Sequence, residues 1–180
     1  VDIDATKTKN ILQKISDSTQ RMMNSMSDIV WAIHSKNDMG DGLVNKIRDS
    51  AQERLEHTGI RITIRAAPEL SQMHFTMNAR RNIVLLFKEA INNTAKYSTA
   101  THVICELLIE NDYFKMSVLD NGIGFDIGVT SNGNGLSSMP ARAKELNGEL
   151  TISSSPGAGT IILFMVNLNE ITLSDMNSLT

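Results

Sequence analysis

Residues 118–125, with the sequence VLDNGIGF, are the stretch that decides the fold. An apolar run before them predicts a buried β-strand over residues 113–119, so this strand ends at the carboxylate of Asp120. Gly122 and Gly124 allow the backbone to take positive φ and to approach a ligand closely. A carboxylate at this place can accept a hydrogen bond from an exocyclic amine such as that of adenine. An ordinary glycine turn is the alternative, since Asp-x-Gly-x-Gly is weak evidence by itself.

The elements around this stretch alternate between helices and strands. Apolar spacings of three and four predict helices, and alternation of apolar and polar residues predicts strands. The predicted helices cover residues 12–33, 43–57, 78–97 and 137–146, and the predicted strands cover residues 61–65, 102–109, 113–119, 149–154 and 160–166. Strands joined by a tight turn, such as the one at Asn111 and Asp112, must be antiparallel, so the sheet is mixed. This order predicts an α+β fold, a two-layer α/β sandwich that follows one long helix.

Turn residues divide the chain between these elements. The sequence NDMGDG at residues 37–42 ends the first helix, and Asp38 or Asp41 is expected to cap the second one. Gly59 is expected to close the second helix as a C-terminal cap. We therefore expect a helical unit at residues 1–37, a folded domain at residues 38–168 and a flexible polar tail at residues 169–180.

A polar stripe is predicted on the helix before the glycine stretch. Glu89, Asn93, Lys96 and Tyr97 stand at i, i+4, i+7 and i+8, which places them on one helical face. A solvated face is one interpretation. The other is a border of a nucleotide site, where the carbonyl of Asn93 binds Mg²⁺ beside phosphates. In that interpretation Lys96 neutralises phosphate charge and Glu89 orients a water molecule.

Two further glycine groups follow along the chain. Residues 132–136, NGNGL, lead into the helix predicted from residue 137, and backbone N–H groups at such a place form an anion cradle. Residues 156–160, PGAGT, turn the chain into the last strand, where Thr160 can reach the same pocket through its hydroxyl. For this last group a simple hairpin turn is the alternative.

The four groups together resemble one family. Their order is Glu-x-x-x-Asn-x-x-Lys, Asp-x-Gly-x-Gly-Phe, Gly-x-Gly-Leu-x-x-Met and Pro-Gly-x-Gly-Thr. It is similar to the ATP-binding domain of the GHKL (Bergerat) type, shared by bacterial sensor histidine kinases, type II topoisomerases, mismatch-repair ATPases and heat-shock chaperones. The sequence after Met139, with Arg142 and Ala143, resembles the histidine kinase branch. The short gap between the two glycine boxes resembles its short-lidded, nitrate-sensor-like subgroup.

The resemblance implies roles for particular residues. Asn93 would hold Mg²⁺, Asp120 would bind adenine, and Glu89, Asn93 and Lys96 would be the catalytic residues. Tyr97 departs from the histidine that the family often has at this position. The implied ATP-binding residues are Asn93, Lys96, Tyr97, Asp120, Gly122, Gly124, Phe125, Gly133, Gly135, Leu136 and Thr160.

The first helix carries an apolar seam of the coiled-coil type. Its spacings alternate three and four without a break, through Leu12, Ile15, Thr19, Met22, Met26, Ile29 and Ile33. The seam packs either on the chain's own domain or on another helix, and we expect the second, a homodimer. By the resemblance, this helix is the second one of a dimerisation and phosphotransfer hairpin.

The phosphoacceptor of such kinases is a histidine followed by an acidic residue. The four histidines here are followed by Ser35, Thr58, Phe75 and Val103, and none fits that pattern. His34 lies at the end of the seam, where an exposed structural histidine is the plain interpretation. Because the chain also begins at Val1 without a methionine, we expect a fragment whose first hairpin helix and acceptor histidine lie before it.

Composition limits the other partners. The net charge of −3 gives no reason to expect nucleic acid, and Cys105 as the only cysteine excludes a disulfide framework. No apolar stretch reaches the roughly 18 residues of a membrane span. We expect a cytoplasmic fragment without direct membrane contact, within a protein anchored in the bacterial inner membrane.

The predicted function is a sensor histidine kinase. It would transfer the γ-phosphoryl of ATP to a histidine, with Mg²⁺, and relay it to a response regulator. The alternatives are another GHKL-type ATPase or serine kinase, such as an anti-sigma factor, and a non-catalytic nucleotide-binding dimerisation scaffold.

Overall fold

The chain divides into two units, residues 1–35 and 36–180. The computed structural model describes residues 5–34, 38–128 and 134–173. In the first unit, helix α1 spans Ala5–Ile33 and begins seven residues before the predicted start. The large apolar side chains of its seam are exposed: Leu12, Ile15, Met22, Met26, Ile29 and Ile33. The apolar seam predicted from the spacing is therefore present and presented to solvent.

A mixed five-stranded sheet forms one layer of the second unit. Its strands are β1 (Arg61–Ala66), β2 (His102–Glu110), β3 (Tyr113–Asp120), β4 (Glu149–Ser154) and β5 (Thr160–Asn167). They lie in the order β1-β2-β3-β5-β4, with β1 and β2 parallel and the other pairs antiparallel. The prediction of a mixed sheet is confirmed. It has this form because β2 and β3 are joined by a tight turn, whereas β1 reaches β2 through a helix.

The turn between β2 and β3 shows how local sequence sets the register. Asn111 and Asp112 both take positive φ, +49° and +64°. Two such residues make a turn whose twist matches that of a hairpin, and Asn and Asp tolerate this conformation better than most residues. The hairpin pairs Glu110 with Tyr113 and, at its other end, Val103 with Asp120. The turn thus fixes where Asp120 lies at the sheet's edge.

The helical layer covers one face of the sheet. It contains α2 (Gly40–Leu55), α3 (Met77–Asn93) and α4 (Asn134–Glu145), with a 3₁₀ turn at Pro68–Gln72 and the short α5 (Leu168–Ile171). Their apolar sides and the inward side chains of the strands form the core, in which Phe75, Phe114 and Phe164 make edge-to-face contacts. Cys105 of β2 lies in this core, where burial, and secondarily the charge of Glu106, raises the pKa of its thiol to about 12. None of the described helices is both long enough and apolar enough to cross a bilayer.

Both predicted caps of the second helix are wrong. Met39 is the N-terminal cap residue and makes no side-chain capping bond, while Asp41 lies within the first turn of α2. Asp38 instead forms a part-buried ion pair with Arg80. Helix α2 also ends at Leu55, so Gly59, although its φ is +74°, lies beyond the cap. Asp38 thus pairs with a residue distant in sequence and does not cap the neighbouring helix.

Two other predicted boundaries differ from the structure. The helix predicted over residues 78–97 is α-helical only to Asn93 and continues as a π-turn, Thr94–Ser98. The predicted tail begins too early, because α5 lies inside it and buries Ile171 completely. Apolar burial orders this segment. Residues 174–180 of the predicted tail lie outside the described residues.

Candidate functional site

The carboxylate of Asp120 is buried at the end of β3. Only 5% of the residue is exposed, and both of its oxygens accept hydrogen bonds. The backbone N–H of Gly122 donates to Oδ1 over 2.9 Å, and Thr94 Oγ1 lies 3.2 Å from Oδ2. On the neighbouring strand Thr160 is the register partner of Asp120. The sequence-predicted carboxylate is therefore held in one orientation by its own loop and by the turn after α3.

The glycines after Asp120 are required by close packing. A Cβ on Gly122 would lie 2.3 Å from the carbonyl oxygen of Ser98, and one on Gly124 would lie 2.1 Å from that of Ser155. Gly124 also takes a φ of +59°. The Ile123 N–H donates to the Ser98 carbonyl over 2.8 Å. The loop is therefore clamped between the turn after α3 and the β4–β5 connection.

Thr160 lies on β5, directly beside Asp120 in the sheet. Its Oγ1 is 3.2 Å from Ser154 Oγ, and Ser154 Oγ donates to the Gly159 carbonyl over 2.8 Å. The Phe125 N–H in turn donates to Ser154 Oγ over 2.9 Å. The structure thus brings the predicted residues Phe125 and Thr160 together through Ser154. Sequence reasoning missed Ser154, whose only signal is a polar residue at the end of an apolar strand.

The predicted polar stripe runs from α3 into the π-turn. Glu89 and Asn93 are half-buried on α3, whereas Lys96 and Tyr97 are exposed and belong to the turn. A π-turn has more residues per turn than an α-helix, so α-helical spacing does not describe the positions after Asn93. The α-helix predicted for all four residues therefore ends at Asn93, and their shared face stays a prediction.

Asn93 carries a buried polar atom at the end of α3. Its Nδ2 atom is buried and has no hydrogen-bond partner in the described part of the chain. Buried polar atoms are normally paired, so a bound ligand or a water molecule could satisfy this amide. Its carbonyl oxygen is a hard ligand of the kind that Mg²⁺ accepts beside phosphate oxygens and water. Among the described residues no group of three His, Cys, Asp or Glu could hold a metal by itself. The donor set fits a cation shared with a phosphorylated ligand.

The second glycine group lies at the start of α4. This helix begins at Asn134, so Gly135 and Leu136 belong to its first turn and do not precede it as predicted. Gly133 lies outside the described residues. Strong N–H donors are left without intrahelical partners at a helix start, which suits an anion.

A buried asparagine joins α4 to α3. Asn82 is fully buried, and its Nδ2 donates to Asn78 Oδ1 over 2.9 Å and to Glu145 Oε2 over 3.0 Å. Arg142 Nη1 lies 3.5 Å from Asn82 Oδ1. This cluster fixes the helix that begins at the second glycine group. Sequence analysis missed Asn82, since an amide on an otherwise apolar helix face gives no local sign of its partners.

Comparison with known proteins gives a consistent set of similarities. Residues 78–170 match the family model described as "Histidine kinase-, DNA gyrase B-, and HSP90-like ATPase". The histidine-protein kinase/phosphatase DegS of Brevibacillus brevis is 27% identical over 159 residues, which are 86% of this chain and 41% of that protein. The sensor protein VraS of Staphylococcus epidermidis is 26% identical over 162 residues, 89% of this chain and 44% of that protein. The chain thus spans less than half the length of these relatives.

Solved structures share the fold. The Acinetobacter baumannii histidine kinase AdeS has a TM-score of 0.65 at 16% identity, covering 94% of this chain and 87% of that one. The histidine kinase domain of the blue-light activated kinase of Erythrobacter litoralis EL346 has a TM-score of 0.62 at 17% identity, covering 73% and 61%. At these identities the likeness concerns the fold alone.

Proposed function

This chain belongs to the histidine kinase-, DNA gyrase B- and HSP90-like ATPase family, and from that premise we propose that it is the ATP-binding catalytic domain of a two-component sensor histidine kinase. The intact protein would transfer the γ-phosphoryl group of ATP to a histidine and then to an aspartate of a response regulator. One observation carries the proposal most strongly. Asp120 is a buried carboxylate at a strand end, fixed by Gly122 and Thr94 inside a glycine-clamped loop.

The base of the nucleotide is the part that this site would recognise. An ionised carboxylate can only accept hydrogen bonds, so Asp120 would accept one from the adenine amine. The missing Cβ atoms of Gly122 and Gly124 leave the loop close against its neighbours, and Thr160 is the register partner of Asp120 on β5. These contacts support an adenine site at the end of β3.

The phosphates would lie towards α3 and the start of α4. Bound Mg²⁺ neutralises charge on the transferred phosphoryl group. Asn93 would hold this ion through its carbonyl oxygen, Lys96 would offset further phosphate charge, and Glu89 would orient a water molecule. The backbone N–H groups of Gly133, Gly135 and Leu136 would donate hydrogen bonds to phosphate oxygens. Phe125 and Tyr97 would border the site, and positioning with charge neutralisation is what phosphoryl transfer chiefly needs.

Replacing Asp120 with asparagine should weaken nucleotide binding about 10- to 100-fold. The variant keeps the size of the side chain but loses the charged acceptor, and a hydrogen bond to a charged group contributes about 1.5–3 kcal/mol. Isothermal titration calorimetry with a non-hydrolysable ATP analogue measures the change.

The matched control is Asp112→Asn, the same substitution at the far end of the same hairpin. Asp112 is exposed and takes positive φ, which asparagine tolerates equally well. The control should bind the analogue as the unsubstituted chain does. Equal affinity in the Asp120 variant would contradict the adenine site.

The apolar seam of α1 supports a homodimer as the proposed assembly. Its six large side chains are between 41% and 67% exposed, and monomers rarely leave such a stripe bare. Burying them at about 1.5 kcal/mol or more each exceeds an association cost of several kcal/mol.

A response regulator as partner, and an inner-membrane anchor for the longer protein, belong to the same proposal and rest on the resemblance to sensor kinases.

An Ile15→Asp, Ile29→Asp double variant should shift the chain from dimer to monomer. Each carboxylate would have to be desolvated in the seam, which is costly without a partner. Analytical ultracentrifugation at micromolar to high-micromolar concentration gives the oligomeric state. Ser16→Asp, Ser27→Asp adds the same charge at exposed positions off the seam and should remain dimeric. If the unsubstituted chain also sediments as a monomer, the assembly proposal fails.

A further inference from the structure

The hydroxyl of Thr94 joins the end of α3 to the carboxylate of Asp120. Thr94 is 4% exposed and follows directly after the last residue of α3. Its Oγ1 lies 3.2 Å from Asp120 Oδ2 and also 3.2 Å from the carbonyl oxygen of Ala90, one helical turn back. One hydroxyl proton therefore has two acceptors within reach.

The carboxylate of Asp120 is the better of these two acceptors. The Ala90 carbonyl already accepts the backbone N–H of Thr94, so it is satisfied without the hydroxyl. Asp120 is a buried carboxylate, and hydrogen bonds to an ionised acceptor are about twice as strong as neutral ones. A hydroxyl that gave its proton to Ala90 would also turn a lone pair towards the carboxylate. The Thr94 hydroxyl therefore donates its proton to Asp120 Oδ2.

This bond leaves Asp120 with a defined set of free acceptor positions. Gly122 N–H occupies one position on Oδ1, and Thr94 occupies one on Oδ2. With both oxygens pinned, the carboxylate cannot rotate about its last bond without breaking one of the two hydrogen bonds. Its remaining lone pairs have fixed directions, as an acceptor for one particular amine requires.

We propose that Thr94 is a positioning residue for base recognition: its hydroxyl holds Asp120 in the orientation that selects a nucleotide with an exocyclic amine. This inference rests on the proposed function, because it needs Asp120 to face the base. It assigns selectivity to a residue that touches the carboxylate and not the nucleotide.

The experiment compares two nucleotides that differ only in the amine. The probes are a non-hydrolysable ATP analogue and the corresponding purine riboside triphosphate, which has a hydrogen atom in place of the amine. Their affinities for the unsubstituted chain, Thr94→Val, Thr94→Ser and Asp120→Asn are measured by calorimetry. Valine has the shape of threonine without the hydroxyl, and serine keeps the hydroxyl.

We expect Thr94→Val to lose about tenfold in affinity for the adenine nucleotide and to change little towards the amine-free one. Thr94→Ser should restore most of the preference. The Thr94→Val, Asp120→Asn double variant should be no weaker than Asp120→Asn alone, because the two residues act through one bond. Thr94→Ala serves as a second hydroxyl-free variant if valine disturbs the turn, and circular dichroism verifies that each variant is folded.

The outcomes separate this inference from the function beneath it. If Asp120→Asn leaves the preference for the amine unchanged, the adenine site itself is wrong. If Asp120→Asn removes the preference while folded Thr94→Val and Thr94→Ala retain it, the role of Thr94 is wrong and the site stands. An equal loss for both nucleotides in the Thr94 variants would show a purely structural role and would also overturn the proposal.

Discussion

Replacing Gly159 with alanine should lower the free energy of unfolding by about 2–5 kcal/mol and damage the site at the same time. Gly159 has a φ of +73°, and a Cβ there would lie 2.1 Å from the carbonyl oxygen of Asp120. Left-handed backbone costs a residue with a Cβ about 1–2 kcal/mol, and a forced contact adds about 1–3 kcal/mol. The atom that must move belongs to Asp120, so nucleotide affinity should fall with stability. Urea denaturation and calorimetric titration measure the two effects.

Gly157 provides the control within the same loop. Its φ is +84°, yet a Cβ there would meet no atom within 4 Å. Gly157→Ala therefore carries the backbone strain alone, about 1–2 kcal/mol, and should leave nucleotide binding unchanged. The difference between the two variants isolates the approach of Gly159 to Asp120. Equal destabilisation by both would mean that this contact relaxes without cost.

Replacing Asn93 with alanine should remove the dependence of nucleotide binding on magnesium. The variant loses the carbonyl oxygen proposed to hold the ion, while the buried Nδ2 atom without a described partner disappears with it. Its stability should therefore be maintained or rise slightly. Affinity for the ATP analogue should become the same in Mg²⁺ and in a chelator. Phosphoryl transfer to an acceptor hairpin of a related kinase should fall about 100-fold or more.

The neighbouring Asn92 is the matched control. It is also half-buried near the end of α3, but it is not among the residues proposed to bind the nucleotide. Asn92→Ala should keep both the magnesium dependence and the transfer rate. A folded Asn93→Ala protein whose affinity still rises with Mg²⁺ would rule out the metal role of this residue.

The sequence allows the centre of the site to be predicted because the signal there is local. An apolar run, a carboxylate and two glycines stand within a few residues. The positive φ of Gly124 and the close packing of Gly122 agree with the prediction that glycine is needed at both positions. The strands are also predictable, since their alternation of burial is visible in the residues themselves. The mixed sheet follows from the Asn111–Asp112 turn, whose conformation depends on its own two residues.

The misses have a common physical cause, which is contact between distant residues. The π-turn at Thr94–Ser98 has no local breaker, and it accompanies the bond between the Ser98 carbonyl and Ile123 in a loop 25 residues further on. The bond from Thr94 to Asp120 joins residues 26 apart, as a local pattern cannot show. The pairing of Asp38 with Arg80 likewise replaces a cap that local sequence favours.

The burial of Cys105 should make the native protein unreactive towards alkylating reagents. Such reagents attack the thiolate, and this side chain is inaccessible to them, while its burial also raises the pKa of the thiol to about 12. Since it is the only cysteine of the chain, thiol labelling would count each global opening of the sheet and nothing else. A cysteine introduced at an exposed position could then carry a spectroscopic probe while Cys105 stays in place. The same burial makes stability depend on pH in the alkaline range. The folded state keeps the thiol proton up to a pH of about 12, whereas the unfolded chain releases it near its ordinary pKa of 9.0. The free energy of unfolding therefore falls as pH rises from about 9 towards 12.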